Sequence, residues 1–499
     1  MTYRVSRRLF LSGLGSFLAA PHVSAGAPQV SIWPQARPDG FRRQVLGRPE
    51  RVLAKAGLTG AAAFAVADAR TGALLEAHDG GRKLPPASVT KTVTALYALQ
   101  FLGPSHRFTT QVLGTGTLRN GVLSGDLYLA GGGDPTLDTN HLAALAKALR
   151  DSGVREVAGG FFVYDGALPF VRTIDSDQPD HLGYSPAVSG IALNFNRVHF
   201  EWKRASGRYS VRMDARTRKY RPEVATATMR IANRDVPTYT YRADKGIDSW
   251  TVARPALGNG GARWLPVRDP AAYAGDVFRT MARAHGLVLR KAKTRRSLPG
   301  GAQVLARHSS APLNVILRDM LKFSNNLTAE MVGLSATAAR GGVPSSLRAS
   351  ARMMSDWARS SLDMGQCALV DHSGLGEASR MTPTDLVKAL VKVRERGILR
   401  PILKPVTLRD SGGRPVKNHP IKVDAKTGTL NYVSGLGGYM TAADGTELAF
   451  AIFTADTQAR SRIKRADRER PKGAKGWNRR SKKLQQALIE RWGALYGSS

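Results

Sequence analysis

Three short motifs in this sequence contain the residue types that acyl transfer needs. A serine hydroxyl is a weak nucleophile, and a neighbouring amine can activate it by removing its proton. Each motif is common by chance, but their order along the chain predicts a serine acyl-transfer site that uses lysine instead of histidine. The motifs are Ser88-Val-Thr-Lys91, Ser324-Asn325-Asn326 and Lys426-Thr427-Gly428.

The first motif predicts a nucleophile and its base on one face of a helix. Ser88 and Lys91 are three residues apart at the start of a predicted helix, so their side chains lie one turn apart. Free backbone N–H groups at a helix start favour a developing alkoxide. Lys91 can take the serine proton if burial or a nearby cation such as Lys426 lowers its pKa. A solvated Ser/Lys pair on a helix surface is the alternative for this motif alone.

The second motif falls between two predicted helices. Ser324 can relay a proton to a leaving amine, and Asn326 can hold Lys91 and the peptide carbonyl of a substrate. Serine and asparagine are also favoured at helix N-caps, which is the alternative interpretation of this motif.

The third motif falls on a predicted strand. Lys426 and Thr427 suit a substrate carboxylate, and Gly428 lets a substrate backbone approach the strand edge. The backbone N–H groups of Thr429 and Ser88 could form an oxyanion hole. A basic strand end followed by a bend is the alternative here.

The N-terminus has the layout of an export signal. Arg7-Arg8 precedes an apolar run from Leu9 to Ala20, and small residues follow at 23–25. This layout predicts a signal peptide over residues 1–25, of the twin-arginine type or of the general secretory type. No other stretch is long and apolar enough to predict a membrane span. We therefore expect a periplasmic protein that is soluble or peripherally attached to a membrane.

The strong positive charge predicts anionic partners. The sequence has 74 Lys and Arg against 38 Asp and Glu, a formal net charge of +36. For an exported protein the candidates are the anionic cell wall and lipid surfaces, and nucleic acid is not expected. The segment 460–483 is especially basic, so it is either a surface anchor or a solvated loop. The single Cys367 excludes an intrachain disulfide, and neither a metal nor a cofactor is expected.

The pattern along the chain predicts one sheet interrupted by a long insertion. Two N-terminal and three C-terminal strands should form an antiparallel sheet flanked by helices, in an α/β (α+β) fold. The expected divisions are an N-terminal part (26–104), a β-rich insertion (105–300) with a helical patch at 141–150, and a C-terminal part (301–499) that ends in a basic tail and a helix.

Further segments resemble a known family. The resemblance is to the class C low-molecular-mass penicillin-binding proteins, the D-alanyl-D-alanine carboxypeptidase/endopeptidase family, and it spans about residues 50–495. Besides the three motifs, it rests on Leu84-Pro-Pro-Ala-Ser88, Gly125-Asp-Leu-Tyr-Leu-Ala-Gly-Gly-Gly-Asp-Pro-Thr-Leu137, Ala192-Leu-Asn-Phe-Asn196, Val267-Arg-Asp-Pro-Ala-Ala-Tyr273, Asp371-His-Ser-Gly-Leu375 and Gly437-Gly-Tyr439.

The resemblance implies a penicillin-binding transpeptidase/β-lactamase-like domain. It implies hydrolysis of D,D-peptide bonds in peptidoglycan stem peptides and cross-links through an acyl-enzyme, and acylation by β-lactam antibiotics. By resemblance, Ser88 is the nucleophile and Lys91 its base, while Lys426 and Thr427 hold the terminal carboxylate. Ser324 and Asn326 form the second motif of the family.

Two positions depart from the family pattern or match it weakly. Arg380 lies three positions beyond the place of the family arginine near the substrate side chain, and Glu377 stands at that place. Either Arg380 still reaches the substrate or Glu377 changes the substrate preference. Asp165 resembles a family aspartate that receives the amine of the stem peptide. These departures leave a catalytically weak peptidoglycan-binding or scaffold protein as the alternative. A β-lactamase is not expected, since no glutamate is followed by asparagine at the Glu-x-x-x-Asn spacing.

Overall fold

The computed structural model describes residues 48–244 and 246–497. These residues belong to one compact unit, Leu46–Ser499. The predicted signal peptide, residues 1–25, lies outside the described residues. Within the described part of the chain, no helix has both the length and the apolarity needed to cross a membrane.

The chain begins and ends with elements of one domain, and a long β-rich stretch separates them. The first elements are α1 (Pro49–Ala56), β1 (Ala61–Asp68), β2 (Leu74–His78) and α2 (Thr90–Phe101). The middle stretch contains β3 (Thr109–Gly114), β4 (Leu118–Arg119), β5 (Val122–Leu123), β6 (Leu127–Gly131), α3 (Thr139–Asp151), β7 (Glu156–Val157), β8 (Phe161–Tyr164), β9 (Arg197–Ala205), β10 (Arg208–Asp214), β11 (Ala227–Ala232), β12 (Tyr239–Asp244), β13 (Ile247–Ala253), β14 (Gly260–Pro266), α4 (Pro270–Ala284), β15 (Lys293–Arg295) and β16 (Gln303–Ser309). The last elements are α5 (Leu313–Phe323), α6 (Asn326–Gly341), α7 (Leu347–Ser361), α8 (Pro383–Arg394), β17 (Lys404–Pro405), β18 (Lys422–Leu430), β19 (Val433–Thr441), β20 (Glu447–Ala455), α9 (Thr457–Ser461) and α10 (Ala474–Tyr496).

The terminal strands form the antiparallel sheet that the sequence predicts. Its order is β17-β18-β19-β20-β1-β2, so β1 pairs with β20 although almost four hundred residues separate them. Strand β1 shows why the sheet is covered on both sides. Its alanines at 61, 63, 65 and 67 pack in the core beneath α2 and α8, whereas Phe64 and Val66 pack against α10. The small alanines let the helices approach the sheet closely.

The middle stretch contains its own sheets, as expected for an insertion. The largest has the order β15-β8-β6-β3-β16, and β16 continues it beyond the predicted boundary at residue 300. Helix α4 is not predicted, because the short alternating apolar and polar segments of this region indicate strands. Its start signals are nonetheless present in the sequence, because Asp269 caps the helix by accepting from the Ala272 N–H and Pro270 occupies the first turn.

Candidate active site

Ser88 and Lys91 lie together at the start of α2. A short 3₁₀ turn, Ala87–Val89, carries Ser88 into the helix, and Lys91 Nζ lies 3.0 Å from Ser88 Oγ. This turn is tightly enclosed. A side chain at Gly374 would collide with the carbonyl of Ala87, so the loop that contains Gly374 can reach the nucleophile only because this residue is glycine.

The Lys91 amine is fully buried among oxygen acceptors. Besides Ser88, it donates to Asn326 Oδ1 at 2.8 Å and to the backbone carbonyl of Ser373 at 2.7 Å. Burial lowers the pKa of Lys91 below the ordinary lysine value, and attraction to Glu330 and Asp371 opposes this shift in part. A neutral amine in this position can accept the proton of the Ser88 hydroxyl.

Glu330 is a site residue that the sequence analysis missed. Its two carboxylate oxygens accept from the backbone N–H groups of His372 and Ser373, both at 2.9 Å. Burial raises the pKa of Glu330, and these hydrogen bonds and Lys91 oppose the shift. Glu330 thereby holds the segment whose Ser373 carbonyl contacts Lys91. The available signal was a single carboxylate on the buried face of α6, between Leu327 and Leu334.

Asp371 and His372 complete this segment. Asp371 accepts from the N–H groups of Gly374 and Gly376, both at 2.6 Å, which closes a tight turn. The His372 ring is buried, and burial lowers its pKa to about 3, so the ring is neutral at pH 7. A side chain at Gly333 would collide with this ring, so a histidine at 372 requires the glycine on α6.

The second motif contains both the helix N-cap of the alternative interpretation and the expected contact between Asn326 and Lys91. Ser324 ends α5 in a left-handed conformation, with φ of 56°. Asn325 is the N-cap of α6, where its side chain accepts from the Thr328 N–H. Asn326 is the first residue of that helix, and it contacts Lys91 through Oδ1 and donates from Nδ2 to the Tyr184 carbonyl of the inserted part at 2.9 Å.

Lys426 is the second buried amine of the site. It donates to Ser324 Oγ at 3.0 Å and to the carbonyl of Thr427 at 2.7 Å. Burial, followed by repulsion from Lys91 and Lys404, lowers the pKa of Lys426 to about 6. The sequence left two possible causes for a lowered pKa of Lys91, burial or a nearby cation such as Lys426. The structure favours burial for Lys91, whereas burial and then repulsion from Lys91 lower the pKa of Lys426.

The edge of β18 beside Ser88 is open. Strand β17 pairs with β18 only at Asp424 and Ala425, and the side chains of Thr427 and Thr429 are exposed beyond that point. A Cβ at Gly428 would lie 2.7 Å from the Pro86 carbonyl, so this glycine lets the nucleophile turn pack against the strand. The glycine therefore makes room for the backbone of the protein itself, whereas the sequence suggested that it makes room for a substrate backbone.

A cavity of about 370 Å³ joins the first two motifs to Thr429, the residue that follows the third motif. Ser88, Ser324, Asn326 and Thr429 line it, together with Tyr184 and two arginines of the C-terminal segment, Arg460 and Arg468. In the described residues, no group of three or more His, Cys, Asp or Glu side chains is placed to hold a metal ion.

Asp165 and Arg380 are not among the residues that line this cavity. Asp165 is buried at the end of β8 and pairs with Arg296 at 3.3 Å. Arg380 Nη1 donates to the Glu377 carbonyl at 2.6 Å. The carboxylate of Glu377 instead lies 3.4 Å from Arg460 and 3.8 Å from Arg468. The positive charge at the cavity therefore comes from the basic C-terminal segment.

Comparison with known proteins identifies the family. Residues 49–470 match the model of the D-Ala-D-Ala carboxypeptidase 3 (S13) family. The chain belongs to the S13 family. It is accordingly a serine D-Ala-D-Ala carboxypeptidase, which disfavours the scaffold alternative.

Individual relatives agree with this S13 assignment. A D-alanyl-D-alanine carboxypeptidase of Actinomadura sp. (strain R39) is 30% identical over 418 residues, which are 78% of this chain and 76% of the relative. The crystal structure of penicillin binding protein 4 from Haemophilus influenzae superimposes with a TM-score of 0.69 at 20% identity, covering 90% of this chain and 99% of the other. The same protein complexed with a β-lactam gives a TM-score of 0.67 at 21% identity, covering the same shares. The structural likeness confirms the fold, with the additional sheets of the insertion.

Proposed function

We propose that Ser88 is the nucleophile and Lys91 the general base of this carboxypeptidase. The observation that carries the proposal is the 3.0 Å contact between Lys91 Nζ and Ser88 Oγ at a buried amine of lowered pKa. Neutral Lys91 takes the hydroxyl proton while Ser88 Oγ attacks the carbonyl carbon of the penultimate D-alanine. The backbone N–H groups of Ser88 and Thr429 stabilise the resulting oxyanion.

Ser324 and Lys426 protonate the leaving group. As the C–N bond breaks, Ser324 Oγ donates its proton to the leaving nitrogen and receives one from Lys426 Nζ, its hydrogen-bond partner. Proton exchange between Lys91 and Lys426 then restores the starting state. In the second half-reaction, Lys91 takes a proton from water, hydroxide attacks the acyl carbon, and the proton returns to Ser88 Oγ.

The substrate carboxylate sets the charges of the two amines. At pH 7 the empty site favours neutral Lys426, because its pKa is lowered to about 6. A carboxylate bound by Lys426 and Thr427 favours the ammonium form, since an opposite charge raises the pKa of an amine. Burial lowers the pKa of Lys91 to about 8, so its ammonium form still predominates in the empty site at pH 7. Repulsion from the new Lys426 ammonium group lowers this pKa further and favours neutral Lys91. Substrate binding thus prepares both the base and the proton donor, while Asn326 orients Lys91 and the substrate carbonyl.

The substrates are the stem peptides of peptidoglycan, and the location is the periplasm. Family membership and the export signal in the sequence support this assignment. β-Lactams acylate Ser88, as suggested by the relative crystallised with such a compound. Arg460 and Arg468 are positioned at the cavity to attract an anionic substituent of the stem peptide, in place of Arg380. Asp165 makes no contribution to this proposed pocket.

The basic segment 460–483 attracts the protein to anionic cell-wall surfaces. Its first half also has a local function. Arg465 pairs with Asp180 at 2.9 Å, and Arg468 lies 3.7 Å from Asp177, so this half is joined to the inserted part. The cations in the first half of α10, up to Lys483, are exposed and supply long-range attraction.

A fluorescent penicillin tests the assignment. The wild-type protein should form a covalent adduct that survives denaturation, and Ser88→Ala should form none. The wild type should also release D-alanine from a pentapeptide. An unlabelled wild type would remove Ser88 as the nucleophile, and labelling without D-alanine release would favour the scaffold alternative.

A further inference from the structure

A second cavity opens on the opposite face of β18. Side chains alternate along a strand, so the Lys426 side chain lies on the side of Ser324, whereas the side chains of Thr427 and Thr429 project toward the second cavity at the open edge of the strand. The second cavity has a volume of about 910 Å³ and lies between this strand, α10 and the loop 406–413. We call it the basic groove, after the five cations that line it: Lys55, Arg409, Arg479, Lys482 and Lys483.

The basic groove has an excess of positive charge. Its five cations are exposed, and none of them forms an ion pair within the described residues. Two carboxylates line the groove as well, but both have partners. Asp410 pairs with Arg414 at 3.0 Å, and Glu490 accepts from Gln486 at 2.7 Å. The groove therefore favours an anionic ligand.

The groove is continuous with the catalytic cavity. The two spaces meet at the open edge of β18, where Thr429 lines both of them, Leu430 lines the catalytic cavity, and Thr427 and Gly428 line the groove. A ligand whose carboxylate is held by Thr427 can therefore extend past the edge into the groove. The groove volume lies within the range of about 300–1,000 Å³ typical of ligand sites, and it greatly exceeds what one D-alanine needs.

We propose that the basic groove binds the second stem peptide of a peptidoglycan cross-link. This inference rests on the proposed function. In the carboxypeptidase reaction the leaving amine is free D-alanine, which the catalytic cavity accommodates. In cross-link cleavage the leaving amine belongs to a whole peptide that carries several carboxylates. The basic groove lies where that peptide emerges, and its charge is complementary to the carboxylates.

A recessed site is better suited to binding a peptide than to binding a membrane surface. Lipid headgroups form a broad surface that contacts protruding charges. Arg479, Lys482 and Lys483 instead form one wall of a groove whose opposite wall is the catalytic strand. The new element in this inference is the place of the second stem peptide, in the groove between β18 and α10.

Two matched variants of α10 test this inference. The groove variant is Arg479→Gln with Lys483→Gln. The control is Arg480→Gln with Lys475→Gln, which removes one arginine and one lysine from the same helix at exposed positions outside the groove. The measurements are kcat/KM for a soluble cross-linked muropeptide dimer, D-alanine release from a short N-blocked peptide, and the rate of penicillin acylation.

The groove variant should cleave the dimer about tenfold less efficiently, mainly through KM, since exposed cations that attract a charged ligand act on its binding. The control should lose less than about twofold, and both variants should retain the short-peptide and penicillin rates. The wild-type KM for the dimer should also rise with salt. Equal losses in both variants, or equal losses on both substrates, would overturn the inference.

Two further results separate the possible failures. If anionic lipid vesicles bind the wild type and not the groove variant, while dimer cleavage is unchanged, the groove is a membrane site and the inference is wrong. If penicillin fails to label the wild type, the proposed function itself fails. A third result would overturn only the groove inference. In that result, penicillin labels the enzyme, the enzyme releases D-alanine from the short peptide, and the groove variant cleaves the dimer as well as the wild type does.

Discussion

The two faces of β18 carry positive charge in opposite settings. On one face, Lys426 is buried beside Lys91, and burial lowers the pKa of both amines. On the other face, the five cations of the basic groove remain in contact with water. One strand thus separates amines that can lose a proton near neutral pH from cations that stay charged.

The difference shows how one residue type serves two functions. An amine transfers protons only if its neutral form is accessible, and desolvation provides this at a cost in stability. A cation that attracts a substrate must stay charged, and exposure preserves the charge at little cost. The buried face should therefore be sensitive to single substitutions, whereas the exposed face should respond weakly and mainly in substrate affinity.

Replacing Lys91 should give the largest effect. Lys91→Met removes the base and should slow penicillin acylation by about 10³-fold or more, within the usual range for loss of a general base. Stopped-flow or gel-based labelling measures this rate. Lys388→Met, an exposed lysine on α8, is the matched control and should change the rate by less than about twofold. Similar rates in the two variants would show that burial of the amine is irrelevant to the chemistry.

Glu330→Gln should have an intermediate effect. The charge of Glu330 raises the pKa of Lys91, so its removal should lower that pKa further. The acylation rate rises with pH as Lys91 loses its proton, and this rise should move to lower pH in the variant. The maximal rate should fall about tenfold, because glutamine cannot accept from both N–H groups and small misplacements of reacting groups are costly.

The pH profile distinguishes this positioning function from a general loss of structure. Glu330→Asp keeps the charge and should keep the rise near its wild-type pH, even if the shorter side chain reduces the rate. A rise that stays in place in Glu330→Gln would show that the carboxylate does not act on Lys91.

Lys482→Gln should have the smallest effect. The side chain is exposed and in no ion pair with a described residue, so the free energy of unfolding should change by less than about 0.5 kcal/mol. Urea denaturation followed by circular dichroism measures the change. A loss above about 1 kcal/mol would mean that the groove cations stabilise the fold and would blur the contrast between the two faces.

Much of the fold could be predicted because its signals are local. The strands β1, β19 and β20 are short apolar runs, and turn residues such as Gly72 and Asp444-Gly445 bound them. Strand β17 is missing from the prediction because its two residues are too few to show an alternation of apolar and polar side chains. Helix α4 is missing because its short apolar segments resemble strands when read without their N-cap.

The candidate site could be predicted only in part. Three motifs correctly brought Ser88, Lys91 and Lys426 together, because motif spacing reflects the chemistry that the residues share. Asp165 and Arg380 do not line the cavity, since proximity to a motif in sequence does not ensure proximity in space. Arg460 reaches the cavity instead, although it lies eighty residues beyond Arg380.

The sequence was sufficient to predict a serine D-Ala-D-Ala carboxypeptidase, because three motifs in this order and the segments around them resemble the family to which the chain belongs. The protonation states and the basic groove could be recognised only in the folded molecule. Both depend on burial, and burial is produced by segments that are hundreds of residues apart in the chain. A lysine between α2 and α6 is buried and has a lowered pKa, whereas the lysines of α10 face water. No local sequence pattern distinguishes these two environments.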